Sequence, residues 1–279
     1  MSIIKSLAVG DGDMFYIKHN SDNFTIIDCC LSEDNQIEIV KELKSNSKGK
    51  GITRFISTHP DQDHYQGLEY LDDELAIKNF YCVENEAIKE SPCKDFERYC
   101  ELRDSEQKSF KLFEGCSRRW MNQSSDERGS AGLSILWPVT SNTEYKEALK
   151  QAKEGGSPNN ISIILKYGIE NGINVLWMGD LESSFMEKII DEIDLPNVDV
   201  VFAPHHGRKS GKVPEEWLKQ MNPTVVIIGE APSKHLNYYN EYNTITQNSA
   251  GDITLDCSGD KIHFYVSNES YAVEFLDDE

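Results

Sequence analysis

The stretch His59-Pro60-Asp61-Gln62-Asp63-His64 constrains this chain more than any other. Four of its six residues, two imidazoles and two carboxylates, are of types that bind metal ions. It follows Thr53–Ser57, a short apolar run that reads as a buried strand, and precedes a helix expected near Tyr65–Leu71. In an extended chain, residues i and i+2 point the same way, and i+4 and i+5 lie one turn later. Such a loop can offer one pair of ligands to one metal ion and a second pair to another. Pro60 stiffens the loop and disfavours helical geometry at His59. A plain polar strand-end loop has no need of four ligand-type residues in six positions.

The same pattern recurs along the chain. Asp28, Asp180 and His205 each stand at or just beyond the end of an apolar run: Phe24–Asp28, Asn174–Met178 and Val198–Ala203. Strand ends are where α/β folds gather functional groups. Four of the seven histidines fall in the pairs 59/64 and 205/206. Further strands are expected at Ile3–Val9 and Met14–Lys18, joined by the turn Gly10-Asp11-Gly12-Asp13. Others are expected at Leu133–Trp137, Ser162–Tyr167, Thr224–Gly229, Asp252–Leu255 and Lys261–Val266. Helices are expected at about Gln36–Ser45, where Ile37, Ile39, Val40 and Leu43 recur at helical spacing, and at Tyr145–Glu154, Glu182–Ile193 and Glu215–Met221. The charged stretch 84–115 reads as helical, within an insertion near 84–130. Mixed strands and helices with no linker suggest one α/β domain over residues 1–279.

Composition narrows the function classes. Hydrophobic residues make up 38% and aromatics 10%, too much for a disordered chain. No apolar run approaches the roughly 18–20 residues that a membrane span needs. The opening MSIIKSLAVGDGD lacks a long apolar core and a small-residue cleavage site, so no signal peptide is read there and the cytoplasm is the expected location. The seven cysteines include no CxxC pair and read as buried free thiols. A net charge of −20 argues against a protein that coats nucleic acid non-specifically, although bound cations and a local basic patch leave room for a nuclease. The same charge favours a small substrate or a basic protein partner over long duplex DNA.

Five segments resemble the metallo-β-lactamase superfamily in order and spacing: TIID (25–28), THPDQDH (58–64), the region around 160, LWMGD (176–180) and APHHG (203–207). Within it the chain is most similar to the soluble hydrolase domain of ComEC, the competence DNA-uptake protein. VGDGDMFYI (9–17), SILWP (134–138), NNISIIL (159–165) and PHHG-x-x-SG (204–211) carry that likeness, which spans nearly the whole chain. It implies an α/β fold of the αββα four-layer sandwich kind, with two divalent metal ions at one edge between two sheets. It further implies that Asp28 orients the site, that His59 and Asp61 hold one metal, that Asp63 and His64 hold the other, and that Asp180 bridges them. Either His205 or His206 is the last ligand. His205, directly after Pro204, is preferred, leaving His206 to contact substrate or donate a proton.

Two departures from the superfamily pattern stand out. Asp61 replaces the commoner histidine, and Asn160 and Ser162, expected to contact substrate, occupy the place where a third-motif histidine usually stands. Both make the site richer in oxygen, which suits manganese or magnesium, while the second site, with Asp63, His64, Asp180 and His205, keeps mixed character and can still take zinc. Arg208, Lys209 and Lys212 follow the last motif and can bind substrate phosphate, or simply form a solvated loop. His235 lies where relatives place a substrate-contacting histidine, although a surface histidine reads equally plainly; His19 and His263 receive no role. The resemblance implies a metal-dependent phosphodiesterase or nuclease acting on nucleic acid or a small nucleotide, with Asp63, His206 and His235 as catalytic groups. Hydrolysis of a small ester, thioester or lactone, or a partner-dependent effector subunit, are the alternatives.

Overall fold

Val, Ile, Phe and Tyr dominate the runs that become strands, and the burial of each run reports its place. A computed structural model describes residues 1–169, 172–232, 234, 237–258 and 261–276. Asn23–Ile27 and Val225–Ile228 are buried at every residue, as strands covered on both faces must be. Leu133–Trp137 alternates buried and half-buried residues.

The strands form two large sheets. In the first the order is Lys261–Val266, Ile253–Ser258, Ser2–Ser6, Phe15–Lys18, Asn23–Ile27, Ile52–Ile56, Phe80–Cys82, Ser109–Lys111. In the second it is Thr244–Thr246, Val225–Ile228, Val200–Phe202, Asn174–Trp177, Ile164–Gly168, Leu133–Trp137. Each sheet is mixed, with one parallel block. In the first, the four strands from Asn23–Ile27 to Ser109–Lys111 run parallel; in the second, the four from Asn174–Trp177 to Thr244–Thr246 do so.

Packing then sets four layers, α on β on β on α. One face of the first sheet, with Tyr16, Phe24, Ile26, Phe55 and Phe80, packs against the helices Gln36–Ser47, Leu68–Leu75 and Lys94–Asp104 through Leu43, Leu71 and Tyr99. Its other face meets the second sheet: the Phe15 ring lies 4.9 Å from Phe202 and 6.1 Å from Trp177. Burying a side chain such as Phe15 contributes roughly 1.5–3 kcal/mol. Beyond the second sheet, Trp137 packs edge-on against Tyr145 of the helix Thr143–Lys153 and Phe185 of the helix Ser183–Lys188.

The stretch around 84–130 differs from its expected helical character. Only Lys94–Asp104 is α-helical; Ser109–Lys111 pairs as a parallel edge strand, and turns and irregular segments make up most of the remainder. Charge density alone does not make a helix. Leu112, Cys116 and Met121 are buried at irregular spacing, in the core that surrounds the second sheet. The helix after the His/Asp cluster is also displaced to Leu68–Leu75, because Gln62–His64 first turns as a short 3-10 helix. Ile37, expected on the inner face of its helix, is exposed.

Candidate metal centre

Because the parallel strands of both sheets end at one edge, the residues that follow them meet there. Asp28 follows Ile27, His59 and His64 follow Ile56, Asp180 follows Trp177, and His205 and His206 follow Phe202. Asp28, His59, His64, Asp180 and His206 are all buried. The His59 and His64 rings lie 4.1 Å apart, and the His64 and His206 rings 5.4 Å.

The turns that aim these groups are tightly specified. Asp28, His205 and His206 all adopt left-handed backbone conformations, with φ of 55°, 54° and 55°. Such a conformation costs a non-glycine residue roughly 1–2 kcal/mol, and strain of this kind gathers at functional sites. Gly179, with φ of 51°, sets Asp180; a Cβ there would come within 2.7 Å of the Ser162 hydroxyl and 3.1 Å of Thr58. Ser162 is fully buried, and its hydroxyl accepts a 3.0 Å hydrogen bond from the Asp180 N–H. Asn160 and Glu182 bond reciprocally: the Asn160 amide donates to the Glu182 carboxylate at 2.8 Å, and the Glu182 N–H donates to Asn160 at 3.1 Å. Both residues expected at substrate are thus engaged with the turn that carries Asp180.

Asp28 is the most committed carboxylate. It accepts from the Thr58 N–H at 2.7 Å and the Thr58 hydroxyl at 2.5 Å, and its Oδ2 lies 2.8 Å from His64 Nδ1. Burial pushes its pKa up, opposed by the His64 charge and these hydrogen bonds. His64 Nε2 lies 3.1 Å from Asp180 Oδ1. Burial opposes a charge on His64, but Asp180 and Asp28 outweigh it and raise its pKa well above the usual imidazole range. Asp180 is held well below the carboxylate range, because the His64 and His206 charges overcome its burial.

The two adjacent histidines differ in depth. His206 is fully buried, with Nδ1 3.1 Å from Asp13 Oδ1 and Nε2 3.3 Å from Asp63 Oδ2 and 3.8 Å from Asp180 Oδ2. Burial disfavours its charge, but Asp13 and Asp180 beside it push its pKa up to about 10. Asp63 is lowered to about 2; its burial is overcome by the bond to His206 and the His64 charge. His205 is partly exposed, with Nε2 3.7 Å from Asp180 and Nδ1 3.0 Å from the Ser210 hydroxyl; burial lowers its pKa. Burial and the His64 charge likewise bring His59 down to about 4.

Asp61 faces a different way. Its Oδ1 accepts from the Gln62 N–H at 2.9 Å and pairs with the Lys89 ammonium at 2.7 Å. Arg208 lies 3.6 Å from Asp11, and the backbone carbonyls of Lys209, Ser210 and Lys212 accept from the Ser183 hydroxyl. His235 lies outside the described residues. Asp13 and Lys89 received no site role from sequence. For Asp13 the available signal was the second aspartate of the Gly-Asp-Gly-Asp turn; for Lys89 there was none beyond its charge.

Can the site hold a metal ion? Asp13, His64, Asp180 and His206 each offer a ligand atom within 4.8 Å of the others. His59 Nε2, His64 Nε2 and Asp180 Oδ1 are buried and form no hydrogen bond. The 3.1 Å approach of the last two is a charge contact without hydrogen-bond alignment. Leaving a buried polar atom unpaired costs roughly 1–3 kcal/mol. Buried, unpaired ligand-type atoms on both sides of Asp180 fit divalent cations, which would satisfy them.

No protein-family model matches the chain, and no curated protein matches it. Solved structures give likenesses of fold. One is Igni18, a metallo hydrolase from the hyperthermophilic archaeon Ignicoccus hospitalis, at 14% identity and TM-score 0.49, covering 91% of this chain and 99% of that one. Another is the metallo-β-lactamase fold protein YhfI from Bacillus subtilis, at 11% identity and TM-score 0.43, covering 88% and 96%. A third is a long form RNase Z from yeast, at 13% identity and TM-score 0.42, covering 84% of this chain and 37% of that one. The four layers, with the candidate site at the shared strand-end edge, make this the αββα four-layer sandwich expected from the sequence.

Proposed function

We propose that this protein is a metal-dependent hydrolase of phosphodiesters, with its centre at the common edge of the two sheets. The observation that carries this reading is the set of unpaired buried atoms His59 Nε2, His64 Nε2 and Asp180 Oδ1. His64, Asp180 and His206, with Asp63 beside them, would hold one divalent cation, Asp13 standing on the far nitrogen of His206; His59, with Asp61 once released from Lys89, would hold a second beside Asp180. Such cations supply Lewis acidity and make hydroxide available near neutral pH.

The chain's own residues divide the remaining work. Asp28 fixes the ring of His64, and Ser162 and Gly179 fix Asp180. Depth supports exchanging the roles first preferred for the histidine pair. Buried His206 faces Asp63 and Asp180 as a ligand, whereas partly exposed His205 can meet substrate and move a proton at Nε2. Arg208 and Lys209, on the loop that follows, suit a phosphate, and the −20 net charge favours a small phosphodiester over long duplex DNA. The carboxylate-rich donor set favours manganese over zinc.

The test is turnover of chelated protein after each metal is added back singly. The panel holds bis-p-nitrophenyl phosphate, single- and double-stranded DNA, RNA, cyclic nucleotides and lactones. Phosphodiester turnover, higher with manganese than with zinc, is expected. Lactone turnover alone would replace the substrate class, and failure to bind any divalent cation would end the reading.

A further inference from the structure

We infer that Asp13, on the Gly-Asp-Gly-Asp turn, is a positioning residue of the metal centre that holds His206 as Asp28 holds His64. The inference rests on the metal-centre reading above and assigns that turn a part in it.

The two histidines sit in matching relays. In one, Asp28 Oδ2 faces His64 Nδ1 at 2.8 Å, and Nε2 of the same ring faces Asp180 at 3.1 Å. In the other, Asp13 Oδ1 faces His206 Nδ1 at 3.1 Å, and Nε2 faces Asp63 at 3.3 Å and Asp180 at 3.8 Å. A carboxylate on the far nitrogen of a ligating imidazole fixes the ring's orientation and raises its basicity as a ligand. Among the described residues, Asp13 is the hydrogen-bond partner of His206 Nδ1.

The turn is built to reach that ring. It joins Ser2–Ser6 to Phe15–Lys18 in the first sheet, while His206 follows a strand of the second. The Asp13 N–H donates to the Asp63 carbonyl at 3.3 Å, and the Gly10 N–H donates to the Glu230 carboxylate at 2.5 Å. Gly12 permits the approach: a Cβ there would lie 2.6 Å from the Asp63 carbonyl oxygen and would collide with the Cys30 sulfur. Opposite, Gly229 leaves room for His206; a Cβ on it would lie 3.2 Å from His206 Cα and 3.6 Å from Asp13 Oδ1. A turn serving only to reverse the chain has no use for a carboxylate placed on a fully buried imidazole.

The experiment compares the full chain with Asp13→Ala, Asp13→Asn and Asp28→Asn. Manganese affinity is measured by calorimetry, metal-free stability by thermal melting, and imidazole N–H signals by NMR on metal-free protein. Asp13→Ala should weaken manganese binding by about 10–100-fold. It should also remove one slowly exchanging imidazole N–H signal, that of His206 Nδ1, and spare that of His64. Asp13→Asn, which keeps an acceptor oxygen, should restore part of both and serves as the readout should the alanine variant fold poorly. Wild-type manganese affinity with an unchanged N–H signal in Asp13→Asn and Asp13→Ala overturns the inference. If the wild-type chain binds no metal, the metal-centre reading falls on that result, and the NMR signal still decides whether Asp13 holds His206.

Discussion

Replacing Asp28 by asparagine tests whether the site works through an oriented imidazole. Asp28 is fully buried and accepts from three groups: the Thr58 N–H, the Thr58 hydroxyl and His64 Nδ1. Alanine would orphan all three, at roughly 1–3 kcal/mol each. It would also place a residue with no local side-chain bond at φ 55°, for roughly 1–2 kcal/mol more. That sum approaches the whole stability of a typical domain, about 5–15 kcal/mol, so alanine reports folding rather than orientation. Asparagine tolerates the left-handed backbone and keeps an oxygen for the Thr58 N–H. Its amide then points an N–H at His64 Nδ1, which replaces one charge-assisted bond by a donor-on-donor conflict worth roughly 1.5–3 kcal/mol. The ring escapes that conflict by giving up its Nδ1 proton and keeping the one on Nε2, the nitrogen that faces Asp180. We therefore expect Asp28→Asn to fold, to lose roughly 1.5–3 kcal/mol in denaturant unfolding, and to bind manganese about 10–100-fold more weakly by calorimetry. Manganese binding at wild-type affinity in a folded Asp28→Asn variant would refute the reasoning, because the ring would then need no carboxylate behind it.

Protons should leave as the metal binds. His206 is raised to about 10 and His64 is raised as well, so both rings are protonated at neutral pH in the metal-free protein. A raised imidazole stabilises the metal-free fold fully below its unfolded value of 6.5, and His206 gives up that contribution as pH rises through about 10. A metal must displace one proton from each ring, so affinity should climb with pH by up to about two log units per unit and flatten above the folded pKa values. Calorimetry in buffers of different ionisation enthalpy should count about two protons released; a pH-independent affinity contradicts the ligand set. Arg208→Ala or Lys209→Ala should raise KM for a phosphodiester several-fold and leave manganese affinity unchanged, since the 3.6 Å contact of Arg208 with Asp11 is a surface pair worth about 0–1 kcal/mol. Unchanged KM in both variants reduces that loop to a solvated one.

The sequence by itself determined where ligand-type residues stand along the chain, just after apolar runs. Apolar runs such as Thr53–Ser57 and Val198–Ala203 mark strands by local composition, and a ligand-type residue just after such a run is visible without a structure. Leu133–Trp137 and Glu215–Met221 form over the residues their patterns predict, because there local pattern and tertiary packing agree. Other features depended on contacts between distant segments. Asp13 meets His206 across 193 residues, through a turn of one sheet reaching a strand end of the other. The neighbours His205 and His206 are equivalent as letters; consecutive left-handed backbones send one fully inward and leave the other partly exposed. Asp61 reads as a ligand from its place in the motif, yet its orientation follows Lys89, an ammonium 28 residues further on in a stretch with no regular apolar period. Spacing along a chain records which residues can share a loop, whereas the direction of a side chain at a strand end is set by what the rest of the fold packs against it.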